Sequence, residues 1–257
     1  EDQFEQNFFR FIQNHRNFEA CKNCNGLNEC KSDVYGFSSQ LVYQNNRVSL
    51  SYFACQYNQE QKKNYIDTSY FPNTMHYLNE SELDKTKERS EALKEIIRFL
   101  GEYEKEGYAK GIYLHGSFGT GKTFIMMHLA KQVAGLGKQV VIAYYPDLVN
   151  KIKASIATRD YEEHILRLKN VDVLILDDVG GESNSSFVRD EILGPILQYR
   201  VMSDLPVFMT SNFSFDMMRE HLADTRDEFS RVKTGRIIDR MKYAMRVVEL
   251  KGESYRK

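Results

Sequence analysis

Hydrophobic and polar positions follow two different rhythms along the 257 residues of the chain. Between residues 4 and 18, Phe4, Phe8, Phe9, Phe11, Ile12 and Phe18 recur among polar residues at nearly helical spacing. The pattern predicts an amphipathic helix, its apolar face either packed on a core or offered to a partner. Two short β-like runs follow, residues 40–42 and 48–54, and Asn45-Asn46 between them predicts a hairpin. Residues 56–85 are polar, contain Pro72 and keep no period, which reads as a linker. From residue 81 to 108 a charged helix is expected, with Leu83, Leu93, Ile96, Ile97 and Leu100 as its apolar stripe. Then continuous apolar runs alternate with helical patterns. Strands are expected at 111–114, 139–144, 171–177 and 206–210, with helices to Gly135, from Asp147, over 186–202 and again after the last strand. Such alternation means an α/β fold, a parallel sheet flanked by helices on both faces. The division is 1–60 for a small α+β module, 61–80 for the linker and 81–257 for the α/β domain.

The turn after the first strand of this series reads GSFGTGKT and fits G-x-x-x-x-G-K-[ST] without a mismatch. Gly116, Ser117, Phe118, Gly119, Thr120 and Gly121 would wrap their backbone N–H groups around a polyphosphate. Lys122 would reach the β and γ oxygens, and Thr123 would hold Mg²⁺ through its hydroxyl. A helical pattern follows at once, so the anion would sit at a helix N-terminus, where unpaired donors and the dipole favour it. The expected ligand is ATP or GTP with magnesium. Further on, VDVLILDD is a buried strand ending in two carboxylates, where a parallel sheet opens its ligand crevice. Asp177 is the candidate magnesium acid, and Asp178 the group that orients or deprotonates an attacking water. At the end of the next strand, Asn212 is a candidate sensor of the γ-phosphate or the water. Arg236 and Arg240 stand one helical turn apart, as solvated surface or as a guanidinium offered to a neighbouring copy.

Composition narrows the remaining classes only a little. With 42 % hydrophobic residues, 28 % charged residues and a net charge of -1, the chain is an ordinary globular one, and global charge says nothing about nucleic acid. No apolar run approaches the ~20 residues needed to cross a bilayer, so a cytoplasmic protein without membrane contact is expected. The tail from Arg226 to Lys257 holds ten Lys or Arg against five Asp or Glu and could serve nucleotide, a neighbouring subunit or DNA. All four cysteines lie early, as Cys21-x₂-Cys24-x₅-Cys30-x₂₄-Cys55. Four thiolates can close a tetrahedral zinc site, with His15 or His76 as a substitute ligand; redox cysteines and free structural thiols are the alternatives.

The segments GSFGTGKT, VLILDDVGGE, VRDEILGPILQYR, LPVFMTSNFS and GRIIDRM, in that order, resemble the DnaI-type bacterial replicative helicase loaders. Their broader kin, the DnaC-type loaders, the IstB-like transposition helpers and the DnaA-type initiators, are all AAA+ ATPases. The resemblance runs from about Tyr57 to the C-terminus and extends, less densely, into the cysteine region. It implies an AAA+ P-loop NTPase that self-associates on a hexameric replicative DNA helicase and places it on single-stranded DNA. It implies Lys122 and Thr123 as Walker A, Asp177 as the Walker B acid and Asn212 as sensor 1. Arg240 matches the arginine finger, Arg236 is a second candidate in trans, and Arg256 matches a late arginine near the nucleotide. Many relatives carry Glu where Asp178 stands; the shorter side chain draws the carboxylate back by about 1.5 Å, which suits slow, switch-like hydrolysis. Lys151, Lys153, Ser185 and Phe187 match positions lining a single-strand path. The N-terminal module of such loaders binds zinc and engages the helicase. Some of them use a His after the third cysteine position where this chain has Ser38, which favours Cys30 as the ligand. A transposition helper, a small-molecule kinase and an adaptor with a structural ATP site are the rival readings.

Overall fold

The computed structural model describes residues 2–22, 24–34, 37–44, 47–57, 65–71, 87–156, 160–223, 228–252 and 254. Two compact units divide the chain, Glu1–Asn64 and Tyr65–Lys257. Asn45-Asn46, Pro72, His76, Leu83 and Arg256 fall outside the described residues.

In the first unit a long helix, α1 (Asp2–Lys22), packs against a hairpin of β1 (Phe37–Gln44) and β2 (Arg47–Ala54). The strands pair antiparallel in unbroken register from Phe37 opposite Ala54 to Gln44 opposite Arg47. Polar bonds fasten helix to hairpin: Arg10 Nη1 donates to the Val48 carbonyl at 2.6 Å, and Ser39 Oγ to Asn14 Oδ1 at 3.0 Å. Asn17, 1 % exposed, accepts from the Asp33 backbone N–H. The aromatic residues of α1 therefore do not all serve a core. Phe8, Phe9 and Phe18 are exposed, at 45 %, 85 % and 60 %, while Phe11 and Ile12 are half-buried.

The second unit is built on six parallel strands in the order β3-β5-β6-β7-β4-β8. They are β3 (Ile66–Tyr70), β4 (Gly111–His115), β5 (Val140–Tyr144), β6 (Val173–Asp177), β7 (Val207–Ser211) and β8 (Met245–Glu249). The four expected strands are present and form its interior. Two more were not expected. Residues 66–70, read as linker, form the edge strand β3, and the chain end, read as helix throughout, turns from helix into β8 without a break. Both are short and half-polar, because an edge strand is buried on fewer sides and lacks a continuous apolar run.

Alternation along each strand feeds two cores. Ile112, Leu114, Val173, Ile175 and Phe208 face one side, under α2 (Lys87–Glu106) and α3 (Lys122–Gly135). Phe99 of α2 meets Phe208 edge-to-face at 4.7 Å. Tyr113, Leu174, Leu176, Val207 and Met209 face the other side. There they meet α4 (Tyr145–Ala154), α5 (Asp160–Asn170), α6 (Gly194–Met202), α7 (Phe215–Leu222) and α8 (Glu228–Ala244). Pro146 and Asp147 in its first turn let α4 start directly from β5. The helix expected over 186–202 is present and unbroken, but its stretch Val188–Leu193 is π-helical before α6 takes over at Gly194-Pro195, where proline offers no N–H to the preceding turn.

One buried cation ties the second core together. Arg200, 0 % exposed, donates to the carbonyls of Leu168, Lys169, Val171, Asp172 and Pro206 at 2.6–3.2 Å. It thereby satisfies the orphan carbonyls at the end of α5 and the entry to β6.

Candidate nucleotide site

Strand β4 is buried from Gly111 to Leu114 and delivers the chain to Gly116 at the C-terminal edge of the sheet. The loop then turns through left-handed positions at Gly119 (φ 77) and Gly121 (φ 91), which glycine adopts without strain, and enters α3 at Lys122. Thr120, 2 % exposed, braces it by donating to the Ser117 carbonyl at 3.0 Å. Phe118 is 73 % exposed at the tip. The end of the chain supports the loop from behind: Leu250 N–H donates to the His115 carbonyl at 2.7 Å, and a Cβ on Gly116 or Gly119 would collide with Leu250 or Ser254 respectively.

The expected catalytic groups meet in one hydrogen-bonded chain. Lys122 Nζ lies 2.8 Å from each of three oxygens, the Gly116 and Ser117 carbonyls and Asn212 Oδ1. Asn212 passes the contact on, its Nδ2 donating to Asp178 Oδ1 at 2.9 Å. Tyr144 stands at the other oxygen of Asp178, with its hydroxyl at 3.4 Å. Thr123 Oγ1 donates to Asp177, 2.9 Å from Oδ2. So Walker lysine, threonine, both acids and the asparagine converge as the sequence led us to expect.

Asp177 is 2 % exposed, and burial pushes its carboxyl up to about 6. Hydrogen bonds from Thr210 and Thr123 oppose that rise, the charge of Asp178 adds to it, and the Lys122 ammonium opposes it. Asp178 sits in the left-handed region (φ 60), tolerated by Asp, and its N–H donates to Thr210 Oγ1 at 2.8 Å. Thr210 Oγ1 in turn donates to Asp177 Oδ1 at 2.7 Å. One hydroxyl thus joins the Asp177 carboxylate to the backbone of Asp178. Thr123 and Asp177, a hydroxyl and a carboxylate in mutual contact, suit a hard, oxygen-seeking cation such as Mg²⁺.

The family description "IstB-like ATP binding protein" matches residues 55–257. The chain belongs to this family. ATP is therefore the nucleotide that goes with this site. The IstB-like chain is also 31 % identical to the replicative helicase loader DnaI of Bacillus subtilis, over 96 % of its own length and 81 % of that protein's. A solved structure of DnaI superposes with TM-score 0.64 at 37 % identity, covering 71 % of this chain and 95 % of that one. AMPPCP-bound DnaA from Aquifex aeolicus, 20 % identical, shares the fold with TM-score 0.54 over 65 % of this chain and 48 % of that one. The resemblance to DnaI-type loaders, drawn from the motifs, is borne out, and with it the AAA+ P-loop architecture of the second unit.

Other expected residues fall elsewhere on this IstB-like protein. Arg236 and Arg240 line a cavity of about 400 Å³ on α8, with Arg189, Asp190 and Lys233. Lys151 is exposed but engaged, its ammonium 3.3 Å from the Ser69 carbonyl and 4.9 Å from the Tyr70 ring centroid; Lys153 is half-buried. Ser185 Oγ accepts from Val188 N–H at 3.3 Å, and Phe187 packs against the core. Those two positions therefore also take part in local packing. Glu182, missed in the sequence, accepts from Gly180 N–H at 2.7 Å and meets His221 at 3.2 Å, fixing the turn after Asp178 to α7.

Cys21, Cys24, Cys30 and Cys55 line one cavity of about 340 Å³ with Leu27, Phe37 and Tyr57. Burial, with the neighbouring Cys30, Cys24 and Cys55, raises the Cys21 thiol. Among the described residues, however, no group of three or more His, Cys, Asp or Glu is placed to hold a metal ion. Cys24 Sγ is turned to the Gly26 carbonyl at 3.3 Å, and His15 is exposed. Among the described residues no helix is long and apolar enough to cross a membrane.

Proposed function

We propose that this protein is an ATP-hydrolysing loader that engages a hexameric replicative DNA helicase and helps to deposit it on single-stranded DNA. The likeness to DnaI across 96 % of the chain carries the reading, because it includes the N-terminal unit as well as the nucleotide site. In this reading Asp178, held by Asn212, orients the attacking water, and Asn212 couples it to Lys122 at the phosphates. Magnesium held by Thr123 and Asp177 would neutralise phosphate charge. Arg240, with Arg236 beside it, completes the site of a neighbouring copy on the helicase. Exposed Phe8, Phe9 and Phe18 on α1 favour the docking alternative for that helix, with the helicase as partner. Zinc on the four cysteines is part of the proposal, supported by their shared cavity; Lys151, Lys153, Ser185 and Phe187 are its DNA-side candidates and Arg256 its late nucleotide-side one.

The test is co-purification with the cell's hexameric helicase, metal analysis of the same sample, and helicase loading on circular single-stranded DNA. Lys122→Ala is expected to abolish loading, and Arg240→Ala to lower DNA- and helicase-stimulated hydrolysis at least tenfold. Capture of a transposase in place of the helicase would favour the transposition-helper reading, which the IstB-like family match supports.

A further inference from the structure

A second cation stands at the phosphate loop, and it comes from neither Walker motif. Arg89 lies in the first turn of α2 and is 5 % exposed, a burial that arginine rarely adopts. A Cβ built on Gly121 would stand 2.7 Å from Arg89 Nη2 and 3.4 Å from its Cζ. The guanidinium thus reaches into the space that glycine leaves open next to Lys122. In phosphate-binding loops that opening exists so that the backbone can come close to a polyphosphate. We propose that Arg89 is a nucleotide-binding residue, supplied in cis by α2, that contacts the phosphate oxygens common to ATP and ADP.

Three features support the assignment. The planar guanidinium fork matches phosphate oxygens two at a time, as a lysine ammonium does not. The helix that carries it is held firmly: Phe99 and Tyr103 are buried in the core, and Glu102 pairs with Arg246 of β8 at 2.6 Å. An anchored element is what keeps a binding group in place. Finally, Arg89 belongs to the same chain as the loop it touches, whereas Arg236 and Arg240 line a separate cavity on α8. Nucleotide affinity of the isolated chain should therefore depend on Arg89.

The inference rests on the ATP-binding reading, and one experiment separates the two. ATP and ADP are titrated into the full chain at concentrations where it is monomeric, using unsubstituted protein, Arg89→Gln, Arg89→Lys and, on the exposed face of the same helix, Arg98→Gln. Thermal unfolding without nucleotide is recorded beside each titration. Arg89→Gln is expected to weaken ATP and ADP alike by about tenfold or more. Arg89→Lys should keep part of the affinity, and Arg98→Gln should leave it unchanged. Equal affinities in Arg89→Gln and the unsubstituted chain would overturn the assignment, whatever happens to the unfolding temperature. Should Arg89→Gln fail to fold, Arg89→Lys decides: unchanged affinity overturns the assignment, and a loss shared by both nucleotides supports it. If the unsubstituted chain binds neither nucleotide, the ATP-binding reading itself has failed.

Discussion

Replacing Thr210 by valine removes the hydroxyl that joins the Asp177 carboxylate to the Asp178 backbone while nearly preserving shape. Two bonds are lost, the 2.7 Å bond to Asp177 Oδ1 and the 2.8 Å bond from Asp178 N–H. A hydrogen bond to a charged group contributes ~1.5–3 kcal/mol, and a buried N–H left unpaired costs ~1–3 kcal/mol. The methyl group that replaces the hydroxyl recovers about 0.8 kcal/mol. The net expectation is a loss of about 2–5 kcal/mol at neutral pH. That loss has a pH signature. Burial already holds Asp177 at about 6, above its ordinary value of 3.8, so its contribution to stability is fullest below pH 3.8 and declines as pH rises towards 6. The Thr210 hydroxyl opposes that rise, so its removal lifts the folded-state value further. Each unit of lift adds about 1.4 kcal/mol to the cost of ionising Asp177, and the cost appears only where the group is ionised. Urea unfolding of the nucleotide-free protein at pH 5 and pH 8 measures this directly. The difference between Thr210→Val and the parent should be larger at pH 8, and Thr210→Ser should restore most of it. A difference that stays the same at the two pH values would refute the claim that Thr210 steadies an ionised Asp177.

Two more outcomes follow from geometry alone. Arg200→Leu strips five backbone carbonyls of a buried cation and should cost about 3–5 kcal/mol, read as a fall of roughly 6–20 °C in the thermal midpoint. Gly180→Ala forces a side chain into φ 100 and to within 2.7 Å of the Phe213 ring; it should destabilise by about 1–3 kcal/mol and slow ATP turnover, because that turn follows Asp178 directly.

Much of the site was legible because its parts are tied to strand ends. The glycine loop after β4, the acids after β6 and the asparagine after β7 each follow a continuous apolar run, and a parallel sheet places all three at one edge. What the sequence hid were residues whose role depends on three-dimensional neighbours. Arg89 and Arg200 look like ordinary helix surface until the opposite elements are in place. Glu182 and His221 are far apart in the chain, and no spacing rule pairs them. The strands β3 and β8 escaped for a related reason. IDTSY is half polar, and MRVVE follows a helix with no glycine or proline to mark the change. The four cysteines were legible as a group, for they line one cavity although Cys55 stands 25 positions after Cys30 in the chain.

The position of β8 ties the phosphate loop to a distant stretch of sequence. It lies beside β4, the strand that feeds the loop, and the residues just past it rest against Gly116 and Gly119. An edge strand is held on one side only and is among the first parts of a sheet to open. Loosening β8 takes away the backing of the loop, so phosphate affinity and the pairing of this strand report on one another.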